Sequence, residues 1–178
     1  MNRFFIDREK KCNEIVTISG DDALHIKRVL RLGKGDLLEL CDGMGNDYLA
    51  EIKTVDKQCV QAVVREIKAS TGEPEILVTL YQGLPKASKM DTIIQKSVEL
   101  GASRIVPVVT QRSVVKLTER ESVEKRLKRW RKISEEAAKQ SKRGIIPLVV
   151  YPMKYGQALN EAGQDLRIIA WEEERNTD

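Results

Sequence analysis

Lys86 and Lys89, three residues apart in the stretch GLPKASK, stand where an apolar run ends and a helical pattern begins. The loop leaving a parallel strand borders the crevice in which open α/β sheets bind ligands. Two ammonium groups there suit the holding of an anion, although the stretch alone is equally consistent with two solvated loop lysines. A second basic region follows, with twelve Lys or Arg against five Glu between residues 112 and 143. Glu121 with Lys125, Glu124 with Lys128 and Glu135 with Lys139 are four apart, in the order that stabilises an exposed helix by ~0.3 kcal/mol each. That part reads as a solvated, ion-paired face. The remainder lies at the ends, in Arg112 and Lys116 before the helix and Lys142 and Arg143 after it. Other chemistry lacks the residues for it. The single histidine, His25, reads as a surface or packing residue, and Cys12, Cys41 and Cys59 form no CxxC pair and read as small buried hydrophobes. There is no GxGxxG, no P-loop and no HExxH, so no metal is expected. The carboxylates sit mostly in helix pairs or in EEER at 172–175, and no catalytic acid or base can be assigned.

The elements that must position these cations fall into two textures. Runs at 3–6, 14–18, 36–41, 48–55 and 59–67 are rich in β-branched and apolar residues, and DGMGN at 42–46 supplies the glycines and Asn of a tight hairpin. Five short strands suggest a small barrel, since closure removes exposed edges. One helix interrupts them near residues 20–31. Ala23, Ile26, Val29 and Leu30 are expected on its inner side, with Lys27, Arg28 and Arg31 sharing the outer arc. KASTGEP at 68–74 changes the texture and marks a boundary between residues 1–70 and 74–178. Beyond it, EILVTLY, RIVPVV, IPLVVY and LRIIAW look like buried parallel strands. The helices between them are expected over 89–100, capped by Ser88 and ended by Gly101, over 119–142 behind the capping box TERE, and over 154–162. The middle one carries the stripe Val123, Leu127, Trp130, Ser134, Ala137 and Ser141. The fold class is therefore α+β overall, a barrel followed by a right-handed parallel α/β layer.

With 178 residues, 41% hydrophobic and 33% charged, the chain can bury real cores, and its net charge of +4 permits a polyanionic partner without demanding one. No stretch reaches the ~20 apolar residues of a membrane span, and MNRFFIDREKK lacks the apolar run of a signal peptide. A cytoplasmic protein with no membrane partner is expected.

Three stretches carry a resemblance: HIKRVLRLGKGD (25–36), QGLPKASKMDTIIQKSVELGASRIVPVVTQRSVVK (82–116) and KRLKRWRKISEEAAKQSKRGIIP (125–147). Together they resemble the RsmE family, the small-subunit (16S) ribosomal RNA uridine N3-methyltransferases of the knotted SPOUT superfamily. The resemblance implies a PUA-like RNA-binding barrel followed by a SPOUT methyltransferase domain with a C-terminal trefoil knot. It also implies S-adenosylmethionine as methyl donor, 16S ribosomal RNA or the small ribosomal subunit as partner, and a homodimer whose active site is completed across the interface. Carried over to this sequence, Lys86 and Lys89 belong to the crevice where RNA meets the donor. Gln140 and Arg143 match a motif at the far end of the long helix, and Arg112 and Lys116 lie in another. Arg3, Lys27, Arg28 and Arg31 are the candidates for gripping the RNA backbone from the barrel, while Gln140 reads equally as a helix cap. Trp171 and Glu172 are the candidates for one wall of the donor's pocket. The family's GPEGG-type and LRTETA-type segments, which form the knot and most of that pocket, do not occur before the chain stops at WEEERNTD. A domain truncated before the knot is therefore expected, with little affinity for the donor and no stable dimer. Two other readings remain: a non-catalytic module that binds ribosomal RNA, and an α/β enzyme acting on a small phosphorylated metabolite, which leaves the basic helix without a use.

Overall fold

The computed structural model describes residues 3–6, 11–12, 14–86, 89–111, 120–162 and 166–170. Its first half is a six-stranded sheet of β1 (Arg3–Phe5), β2 (Lys11–Cys12), β3 (Ile15–Ser19), β4 (Leu37–Cys41), β5 (Asn46–Val55) and β6 (Cys59–Ala69), in the order β1-β4-β5-β6-β3-β2. β1 pairs with β4 in parallel and the other neighbours are antiparallel. The alternation of the strands fixes which face is buried: Val16 and Ile18, Leu38 and Leu40, Ala50 and Ile52, Val60 and Ala62 form one core with Phe4, Ile26 and Tyr48. Two register irregularities in the long β5–β6 ribbon, at Leu49/Ala50 and Ile52/Thr54, bend the sheet over that core. Its ends, β1 and β2, stand at opposite edges among the described residues, so the expected barrel is a curled half-barrel.

The helix of this half also departs from expectation. α1 (Asp21–Leu24) passes into a π-helical turn over His25–Val29, in which the Leu30 N–H donates to the His25 carbonyl at 3.0 Å, five residues back. The wider turn keeps Ala23 and Ile26 inside but swings Val29 outward, where it is 65% exposed.

The second half is a parallel sheet with helices: β7 (Thr79–Gly83), α2 (Lys89–Glu99), β8 (Arg104–Val109), α3 (Arg120–Gln140), β9 (Leu148–Val149), β10 (Met153–Lys154) and α4 (Tyr155–Glu161). β8 is central, with β7 on one side and β9 followed by β10 on the other. Met90, Ile94 and Val98 of α2 pack with Leu127, Trp130, Ala137 and Ala138 of α3 over Ile105 and Val149. Large side chains buried in this way contribute about 1.5–3 kcal/mol each. Gly101 ends α2 as expected: at φ 98° its N–H donates to Val98 O at 3.0 Å while Ala102 N–H donates to Ser97 O at 2.9 Å, a Schellman closure. The Ser88 cap and the TERE box lie outside the described residues.

Three expected strands are shorter or absent. Residues 75–77 join no strand: contact with the β8 segment starts at Val78, whose carbonyl accepts from Ser103 N–H at 2.9 Å after the Gly101 turn, and Ile76 and Leu77 are 75% and 80% exposed. Within IPLVVY only β9 forms, and the ladder to β8 breaks before it resumes beyond that run at β10. Val108 O accepts from Leu84 N–H on the β7 side and Ile105 O accepts from Val150 N–H on the β9 side, so alternation turns Pro107 towards the break. With no N–H to donate, Pro107 cannot continue the ladder there. Residues 166–170 join no strand, and Leu166, Ile168 and Ile169 are at least 80% exposed.

Candidate nucleic-acid interface

In the parallel sheet, β7, β8 and β10 end at Gly83, Val109 and Lys154 on one common edge. The chain leaves β7 with Leu84 buried, its N–H held by Val108 O at 2.9 Å, and then turns outward so that Lys86 is exposed. Lys89, also exposed, is the first residue of α2. Both lysines therefore stand at the carboxyl edge, beside the N-terminus of a helix whose dipole adds to their positive potential. A Cβ built on Gly83 would meet only Thr110 Cγ2 at 3.8 Å, leaving the backbone of this edge approachable.

The basic helix of the half-barrel presents Lys27, Arg28 and Arg31 to solvent. Arg31 adopts φ 54°, the left-handed conformation that stops the helix. His25 is exposed and meets Phe4 edge-on, with ring centroids 6.1 Å apart.

Two arginines expected to grip RNA are instead structural. Arg3 is almost fully buried and pairs with Asp47, which also accepts a hydrogen bond from Ser70 at 2.5 Å. Arg3 further donates to the Lys142 carbonyl at 2.9 Å, tying the half-barrel to the end of α3. Arg143, 5% exposed, donates to Glu73 Oε2 at 2.6 Å and to the carbonyls of Ala102 and Val98 at 2.5 and 3.2 Å, where α2 ends. The other Glu73 oxygen accepts from Gly144 N–H at 2.8 Å and Ile145 N–H at 3.0 Å. Burial alone would raise the Glu73 pKa, but Arg143 and these two N–H groups outweigh it and hold the carboxyl below its ordinary value. Both guanidinium groups are thus occupied by internal carboxylates and carbonyls, which leaves no open fork for a phosphate.

These contacts form a seam between the halves. Gly45 N–H donates to Gly144 O at 3.0 Å, Ile146 N–H to Gly43 O at 3.1 Å, and Met44 bridges Ile145. Cys41, buried, donates through Sγ to the same Gly144 carbonyl at 3.3 Å, and burial raises its thiol pKa against the opposing pull of Arg3. Phe5 reaches from β1 into the core of the α/β half.

The expected site residues therefore divide. Lys86 and Lys89 lie at the carboxyl edge of the sheet, whereas Gln140, exposed at the last turn of α3, lies with Arg143 near the amino edge, where β9 begins. About 30 Å of a 21-residue helix separates the two groups. Arg112, Lys116, Trp171 and Glu172 lie outside the described residues.

A cleft runs along α3 between these ends. Lys125, Lys128, Arg129, Arg131, Lys132 and Lys139 line one wall, Ser19, Asp21 and Asp22 of the half-barrel the other, and Ile146, Pro147 and Leu148 the floor. Lys139 sits among Glu135 at 3.2 Å, Asp22 at 3.6 Å and Glu136 at 3.6 Å. Its partial burial would depress its pKa, but these three carboxylates raise it above the ordinary lysine value. Sequence reasoning passed over Glu73, Asp47 and Ser70, whose roles depend on contacts 23 to 72 residues away. It also passed over the cleft lysines, whose i,i+4 spacing to glutamates resembled ordinary helix pairs.

The chain matches two family models, an RNA methyltransferase domain over residues 72–178 and an RNA methyltransferase PUA domain over residues 18–65. It is 37% identical over 177 residues to the ribosomal RNA small subunit methyltransferase E of Bacillus subtilis (strain 168), covering 97% of this chain and 69% of that protein. The chain belongs to the ribosomal RNA small subunit methyltransferase E family. The namesake from Synechocystis sp. is 33% identical, with 87% of this chain and 49% of that protein covered. The crystal structure of the family member from Neisseria gonorrhoeae, bound to S-adenosyl methionine, superposes with a TM-score of 0.80 at 30% identity, over 92% of this chain and 67% of that one. The chain thus spans half to about two thirds of these family members. The half-barrel carrying the exposed basic helix falls largely within the PUA match, and the parallel sheet with Lys86 and Lys89 within the methyltransferase match.

Proposed function

We propose that this chain serves the transfer of a methyl group from S-adenosylmethionine to N3 of a uridine in 16S ribosomal RNA. The observation that carries this reading is the fusion of a curled sheet bearing an exposed basic helix to a parallel sheet whose carboxyl edge holds two exposed lysines beside a helix N-terminus. The family's name, and the donor bound to the Neisseria gonorrhoeae member, supply the substrate class and the methyl source.

The donor would supply an electrophilic methyl group on a sulfonium. Attack by N3 forms the N–CH3 bond and breaks the S–CH3 bond, while the N3 proton leaves to solvent or a base. The residues at this edge fit parts of that task. Cationic Lys86 and Lys89 offer nothing to a positive sulfonium, so their place is with anions: the phosphate beside the target nucleotide, or the donor's carboxylate. Gly83 leaves its backbone open to close approach, as a ligand held by main-chain groups requires. Lys27, Arg28 and Arg31 grip the RNA backbone at a distance and set the register. A homodimer of the full-length form, acting on the small ribosomal subunit and hence in the cytoplasm, completes the proposal.

Transfer of a labelled methyl group to ribosomal RNA, followed by nucleoside mass spectrometry, tests it. N3-methyluridine in the RNA is the expected product, with Lys86→Ala/Lys89→Ala reducing transfer at least tenfold. Modification of a different base, or none by the protein of full family length, refutes the assignment. RNA binding by that protein without transfer would favour the reading as a non-catalytic module.

A further inference from the structure

The expected Glu–Lys pairing of α3 holds at one end only. Glu135–Lys139 closes at 3.2 Å, but among the described residues no carboxylate pairs with Lys125, Lys128 or Lys132. At 100° per residue these three fall within an arc of about 60°, and over about 10 Å of helix they form a stripe along the cleft wall. Arg131 adds a fourth uncompensated charge, its Nε–H fixed on the Val149 carbonyl at 3.2 Å, whereas Arg129 is neutralised by Asp91. The carboxylates Asp22, Glu135 and Glu136 gather around Lys139 at the half-barrel end of the cleft, which Asp21 also lines. The cleft is therefore polarised, positive from Lys132 towards Lys125 and negative at the seam. Its volume of about 1190 Å³ exceeds the usual 300–1,000 Å³ of small-ligand pockets, and its wall is ionic where such pockets are apolar. Those features fit a polyanionic chain crossing an open groove.

We propose that Lys125, Lys128 and Lys132 form a track for the RNA backbone, leading along α3 from the cleft to the carboxyl edge where Lys86 and Lys89 stand. The acidic end sets its limit: a phosphate advancing past Lys132 meets four carboxylates and is turned back. The strand is thus directed along the helix towards the α2 N-terminus and kept off the seam. This inference rests on the proposed RNA substrate and adds the path by which RNA reaches the edge.

The test uses the 178-residue protein and a labelled fragment of 16S ribosomal RNA in filter binding from 50 to 300 mM salt. Lys125→Ala/Lys128→Ala/Lys132→Ala removes three exposed side chains that pack against nothing in the core, so the variant folds. Three lost phosphate contacts lower the slope of log K against log[salt] by roughly 2 units for a single strand. In parallel, lysine acetylation of the wild-type protein, read by mass spectrometry, is expected to be suppressed by RNA at positions 125, 128 and 132 and unchanged at Lys57. An unchanged slope, or acetylation of the three lysines unaffected by RNA, overturns the track while leaving the proposed function standing. Wild-type protein that binds no ribosomal RNA at any salt overturns both.

Discussion

Removing the Glu73 carboxylate tests the seam where it is most tightly built. In Glu73→Ala the Arg143 guanidinium keeps its bonds to the Val98 and Ala102 carbonyls but loses the one carboxylate that pairs with it among the described residues, in a site where it is 5% exposed. The N–H groups of Gly144 and Ile145 lose their acceptor at the same time. Breaking one partner of a buried ion pair costs about 3–5 kcal/mol, because the remaining charge is left uncompensated. Glu73 itself is 17% exposed, so water can reach the vacated space and the low end of that range is expected. At about 2–4 °C per kcal/mol for a chain of this size, the midpoint falls by roughly 6–12 °C. Differential scanning calorimetry measures it, with Glu73→Ala/Arg143→Ala as the second arm. Without the orphaned cation, the double variant should lose at least about 1 kcal/mol less than the two single variants summed. A Glu73→Ala midpoint within about 2 °C of wild type, or strict additivity, would show that the pair is solvated and that Arg143 is available to RNA after all.

Two further outcomes follow from the same seam. Because the Glu73 carboxyl is held below its ordinary value in the folded state, its contribution is fully present above the unfolded carboxylate pKa of about 4.3 and is lost as pH falls through the depressed folded value. The stability gap between wild type and Glu73→Gln, measured by urea unfolding, should therefore narrow on acidification and stay level from neutral to mildly alkaline pH; a gap that widens in acid contradicts the sign. In Gly144→Ala the new Cβ would lie 2.1 Å from Ser70 Cβ and 2.3 Å from its Oγ, which disturbs the Ser70–Asp47–Arg3 group and should cost about 1–3 kcal/mol, partly recovered in Gly144→Ala/Ser70→Gly.

What the sequence made legible was what its periodicity and punctuation encode. The inner faces of the half-barrel strands follow from alternation, the α3 stripe from Val123 to Ala137 follows from 3.6-residue spacing, and Gly101 marks the end of α2 because a Schellman closure needs its φ of 98°. The illegible parts share one cause, namely partners distant in the chain. Residues 75–77 have strand composition but join no strand, because pairing with the β8 segment starts only at Val78, and the consequence of Pro107 for the neighbouring strand appears only once β8 is seen to be central. The same holds for the cations. Arg143 looks unpaired in the sequence because Glu73 is 70 residues away, whereas Lys125 and Lys128 look paired because glutamates stand four residues off; the partner of Arg3, Asp47, is likewise 44 residues distant. Local charge arithmetic thus misassigned both groups, in opposite directions.

Reassigning Arg3 and Arg143 gives α3 a mechanical part in the proposed chemistry. Its C-terminal end is clamped: Arg3 holds the Lys142 carbonyl, Glu73 holds the Gly144 and Ile145 N–H groups, and the Gly43–Gly45 turn bridges residues 144–146. Its middle is tied to α2, with Arg129 on Asp91 in the first turn of that helix. A helix clamped at its C-terminal end and held again at mid-length acts as a stiff spacer, so the half-barrel is joined to the α/β half by about 30 Å of α3 rather than by a flexible linker alone. RNA gripped by Lys27, Arg28 and Arg31 would then present its target nucleotide at a fixed reach. Loosening the seam should accordingly impair methyl transfer more than RNA binding, because the side chains proposed to hold phosphate, Lys27, Arg28 and Arg31, are on an exposed surface that the seam does not touch.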